Sequence, residues 1–196
     1  MKTRMCRYRY LPLLGAFAAA VAVAAGDERQ QLLDEAREAS RQLLQQVGGE
    51  LRREYELSGT VRSVVVCKYL APEVSSSISR KYGAQVKRVS LRVRNPLLGT
   101  PDPWEQVVLS EFDRRLAAGE KADQIDFAEV VTEPLGSYFR YMKAIPVGEL
   151  CLNCHGAKDA MTPATLAQFA AEYPHDQATG YKLGDIRGAV SFKKPL

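Results

Sequence analysis

Histidine and cysteine are scarce in this chain: its 196 residues hold two histidines and four cysteines. So small a set excludes a zinc site built on paired ligands, because no second pair stands at the spacing such a site needs. Internal repeats and low-complexity tracts are absent, and beyond the first 25 residues no apolar run is long enough to span a bilayer. An excess of charge is lacking too. The 27 basic and 23 acidic residues give a formal net charge of +4, but Lys2, Arg4, Arg7 and Arg9 all precede one apolar run, Leu11 to Ala25. Ala22-Val23-Ala24 fits the small-x-small pattern cut by signal peptidase, so residues 1–25 read as a removable signal peptide. The remaining chain then carries 23 charges of each sign, which leaves nucleic acid or an acidic membrane surface without support as partner. It also predicts an exported, periplasmic protein with no stable membrane span after processing. An uncleaved N-terminal anchor is the alternative.

What is present concentrates at Cys151-Leu152-Asn153-Cys154-His155. Two cysteines two residues apart, followed at once by histidine, form the pattern of covalent c-type haem attachment. The thiols add to the haem vinyl groups as thioethers, and the adjacent imidazole lies under the iron as its proximal ligand. A thioredoxin-like redox pair would want a βαβ context, which is missing, and would not need His155. Export fits one covalent haem c, since that attachment is generally made outside the cytoplasm.

Cysteine arithmetic then isolates one residue. Cys6 leaves with the signal and Cys151 and Cys154 go to haem, so Cys67 stands alone in an oxidising compartment. It is either a small buried hydrophobe or an occupied ligand. The other groups available opposite His155 are His175, Met161 and Met142. Arg88, Arg92 and Arg94 alternate with Val89, Leu91 and Val93 and are candidates to pair with haem propionates, Arg94 ahead of the others because it precedes the Asn95-Pro96 turn. Tyr138, Tyr141 and Met142 are candidates to wall the pocket.

Along the chain, Asp27 to Leu57 carries apolar residues at helical spacing, with Gly48-Gly49 as a possible kink and Ser58-Gly59-Thr60 as its end. This long amphipathic helix, residues 26–57, is either core or a homodimer contact. A second helix opens at Pro72 and closes at Gly83. Arg88 to Arg94 reads as a half-buried strand, and Pro103 to Gly119 as a helix with Trp104, Val107, Val108, Phe112 and Leu116 on one face. Phe127–Thr132 and Tyr138–Ile145 make a strand pair across Pro134-Leu135-Gly136. A short helix follows Thr162-Pro163, and Gly188–Phe192 is a last strand. Strands that are adjacent or hairpin-linked, with helices clustered early, argue α+β around an antiparallel sheet in residues 58–196.

Beyond the haem motif, order and spacing are informative: Cys67 with Ala71-Pro72; Arg94-Asn95-Pro96; Pro101-Asp102 with Trp104-Glu105; Tyr173-Pro174; Asp176; Ala178; Gly180-Tyr181; Gly184-Asp185; and Arg187-Gly188. In these the chain resembles the haem-c-containing, PAS-like sensor domains first met in cyanobacteria. The resemblance implies a PAS-like α+β fold and one c-type haem whose iron is ligated by histidine and cysteine, which in this sequence are His155 and Cys67. It also implies a role in redox or small-ligand (gas) sensing, with plain electron transfer as the rival. With both axial positions filled, substrate has no access to iron, so no enzymatic activity is expected. No kinase, cyclase or methyl-accepting module follows Leu196, so signalling is expected to need a separate redox or signalling partner protein.

Overall fold

The computed structural model describes the backbone of residues 15–196 and the side chains from residue 26 onward. The signal peptide expected over residues 1–25, with Cys6, therefore lies largely outside the described residues. No helix among those described is long and apolar enough to cross a membrane.

Helix α1 (Gly15–Val65) is followed without a loop by a π-helical segment, Val66–Leu70, and by α2 (Ala71–Tyr82). Strand β1 (Gln85–Val89), the single turn α3 (Pro96–Gly99) and α4 (Pro103–Ala117) come next. Strands β2 (Asp126–Glu133) and β3 (Gly136–Pro146) form a hairpin, then α5 (Glu149–His155) and α6 (Pro163–Glu172) precede β4 (Ile186–Pro195). The four strands make one antiparallel sheet in the order β1-β4-β3-β2, the α+β architecture expected.

Strand periodicity divides the core in two, because successive side chains leave a strand on opposite faces. Phe139 and Tyr141 of β3 and Val190 and Phe192 of β4 face one way. They meet Ala36, Ala39, Leu43 and Val47, a stripe at helical spacing on α1, together with Ile78 of α2. Met142, Ala144 and Ala189 face the other way, against Val108, Leu109 and Phe112 of α4. Met142 and Tyr141 are therefore core residues and wall no haem pocket. Tyr138 lies under the Lys193 ammonium at the far end of β3. Val107, expected on the apolar face of α4, is exposed.

Two expected boundaries move. The first helix does not end at residue 57: helical structure resumes beyond Gly59, whose φ of 73° and ψ of −174° make the one non-helical joint in α1. That backbone conformation is essentially confined to glycine. The kink thus falls at Gly59, and Gly48-Gly49 remains helical. The strand expected to reach Arg94 stops at Val89. The Ser90 hydroxyl accepts from the Arg92 N–H at 3.1 Å and donates to the Arg187 carbonyl at 2.8 Å, a local turn that takes the chain out of the ladder.

Candidate functional site

The haem-attachment motif occupies α5, delivered by β3 through Val147, whose N–H donates to Asp185 O at 2.8 Å. Helix α5 lies between two small apolar clusters. Cys151 and Leu152 pack on Val147, Ala178 and Tyr181, whereas Cys154 packs with Val64, Met161, Phe169 and Tyr173. Its C-terminal carbonyls, which a helix leaves without internal partners, are claimed by other elements. Tyr181 N–H donates to His155 O at 2.9 Å, Gly180 N–H to Gly156 O at 2.7 Å, and Arg94 Nη2 to Cys154 O at 2.6 Å. Gly156 closes the helix where a Cβ would stand 2.6 Å from Leu152 O, so only glycine fits without displacing backbone.

His155 is held in one tautomer. Its Nδ1 lies 2.7 Å from the Ala178 carbonyl, an acceptor only, so the ring proton sits on Nδ1 and Nε2 keeps its lone pair. Ala178 is itself fixed. It is fully buried, its N–H donates to Asp176 Oδ1 at 2.8 Å, and Arg94 Nη2 reaches both its carbonyl, at 3.3 Å, and Asp176 Oδ2, at 2.9 Å. Burial pulls the His155 pKa well below its usual value, and the charges of Arg187, Arg94 and Arg88 pull the same way, against the Ala178 hydrogen bond. The imidazole is neutral, the form that ligates a metal.

Arg94 is therefore not a free cation on a strand face. It is 8% exposed, packs its guanidinium 4.1 Å from the centre of the Phe169 ring, and is committed to Asp176 and two backbone carbonyls. Its place is behind His155, as a support.

Cys67 sits in the π-helical segment and is half-buried. The bend at Gly59 returns the end of α1 to the motif, where Val64 joins the cluster around Cys154. A Lys68–Glu172 ion pair fastens the π-helical segment to α6. Burial pushes the Cys154 thiol up to about 11, Arg94 opposing, and Cys67 and Cys151 lie close enough for their charges to add to the rise. Tyr173 is likewise raised by burial and then by Cys67. Residues 84 positions apart, Cys67 and Cys151, thus share one neighbourhood with Cys154. Met161 lies in that cluster too, while Met142 is in the core behind the sheet and His175 is exposed in its loop.

Three contributors were not assigned roles from sequence. Asp176 and Ala178 orient His155, and nothing in a lone Asp-x-Ala in a loop signals that. Arg187, at the start of β4, donates from Nε to His155 Nε2 at 3.3 Å. Lying 32 residues from the histidine, it reads in sequence as an ordinary strand charge.

A half-buried pair of attachment thiols, a neutral imidazole with an unprotonated Nε2, apolar flanks and adjacent arginines fit a tethered haem. Among the described residues, no cluster of three or more histidine, cysteine and carboxylate groups suits a lone metal ion.

No curated protein matches the chain. Among solved structures, it resembles the crystal structure of the cyanobacterial heme-protein Tll0287, with a TM-score of 0.62 and 23% identity, over 86% of this chain and 95% of that one. At that identity the likeness is one of fold. The family described as Tll0287-like matches residues 29–195, which take in both cores, α5 and Cys67. With nearly all of the described chain inside that match, the protein belongs to the Tll0287-like family.

Proposed function

We propose that this protein is an exported haem protein carrying one c-type haem, which serves as a redox or small-ligand sensor and not as an enzyme. The single observation that carries the reading is the Ala178 carbonyl at His155 Nδ1, which puts the ring proton there and leaves Nε2 unprotonated, on the same helix as both attachment thiols. Membership of the family, and the description of the Tll0287 structure as a heme-protein, support haem as the group concerned.

Cys151 and Cys154 would tether the group, and His155 and Cys67 would hold its iron. Haem held there would supply a one-electron iron couple, and a Cys67 thiolate ligand would favour its ferric state. Val64, Met161, Phe169 and Tyr173 keep water from the Cys154 side. Asp176, Arg94 and Ala178 hold the imidazole plane and proton in place, as partners of a ligating histidine usually do. The position of Cys67 favours sensing over simple electron carriage. It stands in the π-helical segment between α1 and α2, where a change of ligation would pull directly on the long helix.

Haem should stay with the protein through acid-acetone denaturation and be lost when Cys151 and Cys154 are both changed to alanine. Cys67→Ser should keep covalent haem, shift the ferric spectrum and raise the reduction potential. Retention of haem in the double variant sinks the attachment reading, and an unchanged ferric spectrum in Cys67→Ser sinks the ligand. Spectra of both oxidation states separate the roles: a sensor changes ligation on reduction or gas binding, whereas a carrier keeps both ligands.

A further inference from the structure

Four arginines gather around His155, and their charge is largely unanswered. Arg187 donates from Nε to His155 Nε2 at 3.3 Å and from Nη1 to Ser90 Oγ at 2.9 Å and Arg92 O at 3.2 Å, while its Nη2 makes no hydrogen bond among the described residues. Arg92 stacks over Tyr181 at 4.2 Å, and the same ring lies 5.5 Å from the Arg187 guanidinium. Arg88 is close enough for its charge to act on both His155 and Arg187. Of the four, only Arg94 has a carboxylate within salt-bridge distance, Asp176 at 2.9 Å. Arg88, Arg92 and Arg187 have none among the described residues.

Arg88 and Arg187 are half-buried and Arg92 is exposed beside them. A half-buried cation without a counterion is costly, and arginine forks are matched in shape to carboxylates. The Arg187 contact to Nε2 sharpens the point, for it uses the same lone pair that a ligating imidazole gives to iron. An arginine displaced from that nitrogen needs another acceptor, and a carboxylate serves. We propose that Arg187, flanked by Arg88 and Arg92, is the recognition site for the paired carboxylates of the haem itself, with Arg94 excluded by its bond to Asp176. This rests on the haem reading above. The same chemistry would suit a free anion such as phosphate, so the two sources must be separated.

The test uses the full processed chain with Cys151 and Cys154 changed to alanine, so that haem binds without covalent attachment. It is titrated with haemin and with haemin dimethyl ester, whose carboxylates are blocked. A charge-assisted hydrogen bond corresponds to a factor of about ten or more in affinity. Haemin should therefore bind at least about tenfold more tightly than the ester. Arg187→Met should remove that preference by weakening haemin alone, and Arg187→Lys should restore part of it. Equal affinity for haemin and ester in the unsubstituted arginine background overturns the proposal, as does an equal loss of both in Arg187→Met. Should Arg187→Met fail to fold, the haemin-to-ester ratio of its parent decides by itself. Inorganic phosphate binding that Arg187→Met abolishes, without any haemin preference, makes the cluster a free-anion site. If neither form of haem binds the double variant while the chain with both cysteines carries covalent haem, this inference fails and the haem reading stands. Absence of haem from the chain with both cysteines sinks both.

Discussion

Arg94 illustrates how one residue type in one pattern supports two structures. An arginine alternating with valines reads as a cation on the open face of a strand. Here the side chain turns inward, and its pair with Asp176 is almost fully enclosed, at 8% and 10% side-chain exposure. Removing one partner of such a pair strands the other charge, which typically costs about 3–5 kcal/mol. Arg94→Ala should therefore lose about that much stability in urea unfolding of the haem-free chain. Arg94→Ala combined with Asp176→Ala should lose less than the sum of the single changes, because the stranded carboxylate is gone. Additive losses would mean that Arg94 acts through the Cys154 and Ala178 carbonyls and not through Asp176.

At the scale of elements, two junctions have separable physics. Gly59 breaks α1 in a conformation other residues avoid, and a Cβ there meets nothing within 4 Å, so the cost of a side chain is wholly in the backbone. Gly59→Ala should destabilise by about 1–3 kcal/mol. Gly48→Ala, equally uncrowded but helical, should stabilise by about 0.5–1 kcal/mol. Thermal unfolding of both variants checks the pair, and equal effects would place no special demand on the kink. The start of α4 is fixed by a capping box in which Asp102 accepts from Glu105 N–H and Glu105 accepts from Asp102 N–H, both at 2.8 Å. Asp102 also pairs with buried Arg140 at 2.6 Å. Burial raises the Asp102 pKa, but the Arg140 hydrogen bond, the Glu105 N–H and the charges of Arg140 and Lys87 outweigh it, and the net direction is down. A carboxyl whose pKa is depressed on folding contributes stability above its unfolded pKa of about 4, lost as pH falls through the lower folded value. Asp102→Asn keeps a good cap while removing the charge, so its stability should vary less than wild type below about pH 4. An identical acid slope in denaturant titrations would place the acid sensitivity elsewhere.

The whole molecule is a sheet covered on both faces, with the site outside it at the end where α5, α6 and the returning end of α1 meet. That placement leaves α5 without a fully buried residue, its two thiols half-buried. If the first 25 residues are removed as proposed, peptide mass on the periplasmic fraction should place the mature N-terminus near Ala25. An intact Met1 recovered in membranes would instead establish the segment as an anchor and return Cys6 to the count of available thiols.

The sequence by itself determined what is local. The spacing in Cys151–His155, the helical stripe through Leu43, the turn at Pro134-Leu135-Gly136 and the glycine stop after α2 each depend on neighbours within one or two turns, so they can be read from a few consecutive residues. The strand pair and the α+β class follow from the same short-range periodicities. Only the tertiary structure decided where chain segments remote from one another meet. Ser90 ends β1 through a bond to Arg187, 97 residues on, and Ala178 reaches His155 across 23 residues. Arg94 turned inward because its partner Asp176 comes from a loop beyond α6, and Arg187 reached His155 because β4 inserts between β1 and β3. Such contacts are set by sheet order and by the bend at Gly59, and a residue's own neighbours in sequence carry no record of them.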